Sequence, residues 1–235
     1  MEKFFPEIPD VNQLLHIKFT IVYLTDLFRC PLKDLFVEIS TLTPPILTLF
    51  DQCECLKIRG ENRISNELLA NILERITVKQ HLWFQVPTDP SFDFNSVNIK
   101  ANGIEFRYKS PLSFSSQLAA QLNFETVKML DCHWTSEDCI SFVNQWFYSS
   151  NTKLQWLQLR FHSHTVHVNI DHLNPLPFCE KRRGEFEVVT LENGVFREYT
   201  EKVDILRSDD LLATVSTVPD SNYFVFYVWH DRFLA

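Results

Sequence analysis

DCHWTSEDCISFVNQWFYSSNTKLQWLQLRF, Asp131 to Phe161, decides how the chain is read. Its first half places Cys139, Ile140, Val143, Trp146 and Phe147 at i, i+3, i+4 spacing, which predicts a helix over Ser136–Tyr148 with one apolar face. Thr135 or Ser136 supplies the N-cap, and Glu137 and Asp138 fall in the first turn, where the helix dipole favours carboxylates. Ser149-Ser150-Asn151 is a polar turn. KLQWLQLRF then alternates apolar and polar residues, and Leu154, Leu157 and Leu159 fit the L-x-x-L-x-L core of a leucine-rich repeat. The asparagine that follows in regular repeats is missing.

The same unit recurs outward from this stretch. Strand-like runs begin at Leu35 (LFVEI), Leu56 (LKI), Leu82 (LWFQV), Ile104 (IEFRY), Val127 (VKM) and Leu157 (LQLRF), between 21 and 30 residues apart. Asn66 to Ile76 puts Leu68, Leu69, Ile72, Leu73 and Ile76 on one helical face. Strand-plus-helix units of this length predict an α/β fold: an irregular leucine-rich-repeat-like solenoid over residues 17–174. A doubly wound α/β sheet is the rival, disfavoured by the shortness of the units. Beyond Pro175 and Pro177 the pattern changes. EFEVVTL, Asn193-Gly194, VFREYT, LLATVST and YFVFYVW predict an antiparallel β meander over 175–235 that caps the solenoid, with a hairpin at Asn-Gly. Residues 1–16 are a short N-terminal segment.

Composition narrows the function. The 235 residues are 45% hydrophobic, enough for one sizeable core. Lys and Arg number 22 against 30 Asp and Glu, so nucleic acid is not the expected partner. Only four glycines are present and no two are close, which removes the Walker loop and the Rossmann fingerprint. Six cysteines are too sparse for a disulfide scaffold. The start, MEKFFPEIP, lacks the long apolar run of a signal peptide, and Tyr223 to Trp229 is too short to span a membrane. The expected setting is cytoplasmic or nuclear, with free thiols.

Three constellations invite chemistry. Cys132, His133 and Cys139 lie close in sequence, but a seven-residue spacing fits no zinc template, and the cap-and-helix reading accounts for the stretch. Cys53 and Cys55 form C-x-C on one strand face, with no second pair downstream. His162, His164, His167 and His172 with Asp171 are the best metal candidates, and a standalone metalloprotein or hydrolase built on them is the alternative to a binding module. No nucleophile elbow occurs, and the reading is of a non-enzyme without cofactor or metal.

The residues between the core positions of the strands share the opposite face. They are Phe36 and Glu38; Lys57 and Arg59; Trp83 and Gln85; Glu105, Arg107 and Lys109; Lys128 and Leu130; Gln158 and Arg160. Six are basic and two acidic in a chain of net charge −8. Lys57, Arg59, Trp83, Arg107, Lys109, Lys128 and Arg160 are therefore the candidate partner-binding residues, facing an acidic protein.

Val127 to Phe161 resembles the core of the nematode F-box-associated domain, type 2, with Trp146 closing the helix, Ser149-Ser150-Asn151 as the loop and Leu154–Leu159 as the strand. Downstream, Asp204, Ile205, Arg207, Ala213, Thr214 and Trp229 match that family's closing signature, and YLTDLFRC resembles its first helix. Where the family often has Asp-Gly at the turn, this chain has Asp209-Asp210. The resemblance implies the substrate-binding part of a cullin-type (SCF) ubiquitin ligase receptor, and no catalytic residue. FFPEIP resembles the opening of an F-box, an F-box remnant, but the helices of such a box are not evident before residue 17. The resemblance therefore does not extend to a Skp1-type adaptor.

Overall fold

A computed structural model gives the fold, and it describes residues 11–28, 31–42, 47, 49–97, 99–108, 114–115, 119, 124–161, 167–179, 201–218 and 222–230. Ten strands form one open sheet with three helices among the described residues: α1 (Val11–Phe28), β1 (Asp34–Glu38), β2 (Gln52–Arg59), α2 (Asn66–Arg75), β3 (Thr77–Gln85), β4 (Gly103–Phe106), β5 (Thr126–Cys132), α3 (Ser136–Tyr148), β6 (Trp156–Phe161), β7 (Leu176–Pro177), β8 (Glu201–Leu206), β9 (Leu212–Val218) and β10 (Tyr223–Trp229). The order across the sheet is β1-β2-β3-β4-β5-β6-β10-β9-β8-β7.

The first six strands are all parallel and follow chain order. A doubly wound sheet would reverse its order at a switch point, so that rival is excluded. The last four strands are an antiparallel meander, and β10 pairs antiparallel with β6. The meander therefore continues the same sheet rather than closing its end as a separate layer. The expected hairpin at Asn193-Gly194 lies outside the described residues. α1 runs through residue 16, the expected end of the N-terminal segment, and includes the helix read at YLTDLF.

Register explains the core. Leu35, Leu56, Leu82, Ile104, Val127, Leu157, Phe226, Val215 and Val203 are cross-strand neighbours in one unbroken apolar row. The row belongs to the hydrophobic cluster that also takes Leu69, Ile72 and Leu73 of α2 and Cys139, Phe142, Val143 and Trp146 of α3. Parallel strands joined by helices need such a continuous apolar face, because the helices must cover it. α2 starts at Ser65, whose hydroxyl accepts the Leu68 N–H at 3.3 Å. α3 starts in a capping box. Thr135 Oγ1 accepts the Asp138 N–H at 3.2 Å and the Asp138 carboxylate accepts the Thr135 N–H at 2.8 Å. Phe142, three residues on from Cys139, is fully buried on the same α3 face.

Over the seam between β6 and β10, Phe142 and Trp146 meet Phe226 edge-on at 5.4 and 4.9 Å. Arg207, at the end of β8, is 2% exposed and binds the end of α3. Its Nη1 donates to the carbonyls of Trp146 at 3.2 Å and Asn151 at 2.9 Å, and its guanidinium lies 4.6 Å over the Trp146 ring. Nε and Nη2 grip both oxygens of Asp209 at 2.8 and 2.7 Å. That fork, and the carbonyls at a helix C-terminus, suit a guanidinium and not an ammonium.

The Arg207 bonds hold the Asp209 carboxyl down at about 2. A depressed carboxylate contributes stability that is fully present above its unfolded value near 4 and lost as pH falls through about 2. Urea midpoints should therefore drop more for the wild type than for Asp209→Asn across that window. Arg207→Lys should cost about 2–4 kcal/mol at neutral pH, since the orphaned carbonyls and carboxylate stay behind. A second prediction concerns Asp210, which holds φ at 67° in the left-handed region. Asp210→Gly should raise stability by about 0.5–1 kcal/mol by thermal melt, because glycine adopts that conformation without a Cβ penalty.

Candidate functional site

The face of the sheet turned away from α2 and α3 is polar and aromatic. One row across it runs Phe36, Lys57, Trp83, Glu105, Lys128, Gln158, Val225, Ser216 and Lys202. A second runs Asp34, Cys55, His81, Gly103, Thr126, Trp156, Tyr227, Thr214 and Asp204. The outward residues read from the sequence share this face wherever they are among the described residues. Gln158, Val225, Ser216 and Leu130 on it are buried, so its accessible part lies over β1–β4. Phe36 there is 54% exposed and Tyr108, just beyond β4, 47%.

Half of the expected basic stripe is engaged within the face itself. Lys57 Nζ sits between two rings, 4.7 Å over Phe36 and 4.3 Å over Trp83, and 3.9 Å from Asp34. Glu105 is the hub. One carboxylate oxygen accepts Trp83 Nε1–H at 3.1 Å, and the other takes Arg107 Nε–H at 2.7 Å and lies 3.9 Å from Lys128 Nζ. Lys57, Trp83, Arg107 and Lys128 thus form one network around two acids that a count of charge type could not place. Arg59 is one row along, and Arg160 is on β6, beyond β5. Neither has an ion pair among the described residues. Lys109 lies outside them.

A groove of about 490 Å³ opens at the carboxyl ends of β1–β4, lined by Glu38, Arg59, Glu61, Asn62, Gln85 and Tyr108, among others. Crevices at that end of parallel strands are the usual ligand sites of α/β sheets. Of its lining, Glu61 and Asn62 belong to a loop, where alternation gives no signal, and Tyr108, in the run read as a strand from Ile104, lies beyond the end of β4.

The thiols and histidines take structural places. Between Cys53 and Cys55 the pairing with β3 shifts by a bulge. Cys53 joins the core cluster, while Cys55 registers with Asp34 and His81 on the polar face, so the C-x-C pair does not share one face as the alternation implied. Burial pushes the Cys53 thiol up to about 12, the Cys55 thiol up, and Cys139 well above its usual range. Such thiols are poor nucleophiles and poor metal ligands. His162 and His164 lie outside the described residues. His167 N–H donates to Ser136 Oγ, and the exposed His172 pairs with Asn144 Oδ1 at 2.6 Å. Among the described residues no group of three His, Cys, Asp or Glu could hold a metal ion, and no helix is long and apolar enough to cross a membrane.

Asp204 and Arg207, the charged residues of the closing signature, are both buried. Asp204 accepts the Thr214 hydroxyl at 2.8 Å, and Thr214 Oγ1 in turn accepts Trp229 Nε1–H at 2.9 Å. These residues pack the meander and do not form a surface. No family model, curated protein or solved structure matches the chain.

Gly103 sets the aromatic part of the face. A Cβ there would strike Thr126 Oγ1 and come within 2.5 Å of His81 Nδ1, and His81 stacks on Trp83 at 5.6 Å. Gly103→Ala should displace that ring and cost about 1–3 kcal/mol. The indole fluorescence of Trp83 should shift with it; unchanged stability and emission would show that the close approach is not a constraint.

Proposed function

We propose that the chain is a non-catalytic docking module that holds a protein partner on the β1–β4 half of its polar face. What supports this most is the exposure of Phe36 and Tyr108, with Tyr108 and Arg59 lining a polar groove at the strand ends and an internally bonded ladder beside Phe36. Aromatic anchors beside a guanidinium are the residue types that carry binding energy at interfaces. Arg59 is the cation open to a carboxylate of the partner, so acidity in the partner is needed at one contact and not along a stripe. We read the six in-order parallel strands as an irregular leucine-rich-repeat-like solenoid, an architecture that presents such a face along its length. With the likeness of Val127–Phe161 and Asp204–Trp229 to F-box-associated domains, the partner is a protein substrate and the setting an SCF-type ubiquitin ligase.

Phe36→Ala combined with Arg59→Glu tests the reading, since neither side chain is part of the core. Tagged wild type and variant are expressed in cells and their captured proteins quantified by mass spectrometry. At least one partner should fall about tenfold or more with the variant, as loss of a central anchor predicts. An identical captured set would overturn the docking face. Absence of cullin-ligase subunits from both captures would remove the ubiquitin assignment while leaving the docking face standing.

A further inference from the structure

Seven of the eleven large apolar side chains exposed among the described residues lie on α1. Five of them form one stripe: Leu15 (47% exposed), Phe19 (69%), Val22 (45%), Tyr23 (64%) and Leu27 (57%). Lys18, Ile21 and Thr25 are half-buried and mark the face turned to the body, where Lys18 pairs with Asp51 at 3.4 Å. At about 100° per residue, positions 15, 19, 23 and 27 advance by only about 40° each, so they form a single i, i+4 ridge. A helix with apolar residues on both sides is covered on both.

The ridge reads Leu, aromatic, aromatic, Leu from either end. We propose that α1 pairs antiparallel with α1 of a second copy about a two-fold axis at Ile21, making the chain a dimer. That register sets Leu15 on the partner's Leu27 and Phe19 on the partner's Tyr23, twice over by symmetry. It also sets Asp26, the one acid on the stripe, opposite the partner's His16, so the lone charge meets a complementary group at each end. Self-complementarity of this kind is what an isologous interface requires. The five side chains offer on the order of 600 Å² per copy, and about 1,200 Å² across the pair reaches the size of specific interfaces. A lipid surface fits worse, because the stripe carries no Lys or Arg to meet anionic headgroups.

Light scattering coupled to size exclusion on the full chain tests this. The wild type should have the mass of a dimer at about 100 µM, a concentration at which even a weak pair is populated. Phe19→Glu with Tyr23→Glu, and separately Phe19→Lys with Tyr23→Lys, should each be monomeric with unchanged far-UV circular dichroism. Mixing the acidic and basic variants should restore the dimer, since the register brings each glutamate against a lysine. A monomeric wild type overturns the proposal, and wild-type binding to neutral vesicles in that case assigns the stripe to a membrane surface. A dimer that survives the glutamate variant, or a mixture that stays monomeric with both chains folded, overturns it as well.

Discussion

The Arg207 guanidinium is the contact on which the arrangement of the two halves depends. The sheet changes from parallel to antiparallel between β6 and β10, and α3 lies over that seam through Phe142 and Trp146. Arg207 comes from the far side of the meander, at the end of β8, and reaches the last carbonyls of α3 and the Asn151 turn. It therefore ties the third helix, the loop that feeds β6 and the β8–β9 turn into one unit. A buried guanidinium is stable there because four of its five N–H donors have acceptors and Asp209 supplies the counter-charge. The Trp146 ring gives the flat face of the cation a partner as well.

On the polar face the same chemistry has the opposite result. Glu105 takes the Trp83 indole, Arg107 and Lys128 together, and Asp34 sits beside Lys57. The ladder is stiffened by these bonds, and two carboxylates offset part of the field of its three cations. A partner gains little long-range steering from such a surface. On the docking reading proposed for this face, the hold would come from contact: the exposed rings, the groove amides and the guanidinium of Arg59. That difference in range separates a basic stripe, which would attract any acidic protein, from a mixed face, which selects by fit.

The sequence carried the strands and helices where periodicity was strong. LQLRF and YFVFYVW fall within β6 and β10, LFVEI overlaps β1 from Leu35 to Glu38, and Ser136–Tyr148 is α3 residue for residue. β3 begins at Thr77, five residues before the run read as a strand, because TVKQH has too little apolar alternation to announce itself. β8 was not read as a strand, because EKVDIL opens on two charged residues and has little apolar alternation. The outward face was legible as a set of positions, since strand parity fixes it, but not as a charge surface. Which acid meets which base depends on the register of different strands, and the Glu105–Lys128 and Lys57–Trp83 neighbours are 23 and 26 residues apart in the chain. The C-x-C pair failed for a related reason: a bulge breaks parity, and no residue in QCEC signals one.

The ends of the sheet limit how a partner can engage it. β1 and β7 are the two edges. β1 is five residues long and bounded by Asp34 and Glu38, while β7 has two residues, one of them Pro177, which has no N–H to donate. Short, charged or proline-bearing edges are poor templates for strand addition. An extended peptide joining the sheet at β7 would find one amide, and at β1 a run flanked by carboxylates. The backbone is thus closed to partners at both ends, and recognition is left to side chains. Two surfaces have side chains suited to it, the β1–β4 half of the polar face and the ridge of α1. α1 touches the sheet through the Lys18–Asp51 pair just ahead of β2, so a second copy docked on α1 would join the molecule from the β1–β2 side rather than over the meander. Dimerisation would then bring two docking faces near each other, and a partner with two binding segments would gain from both through effective concentration.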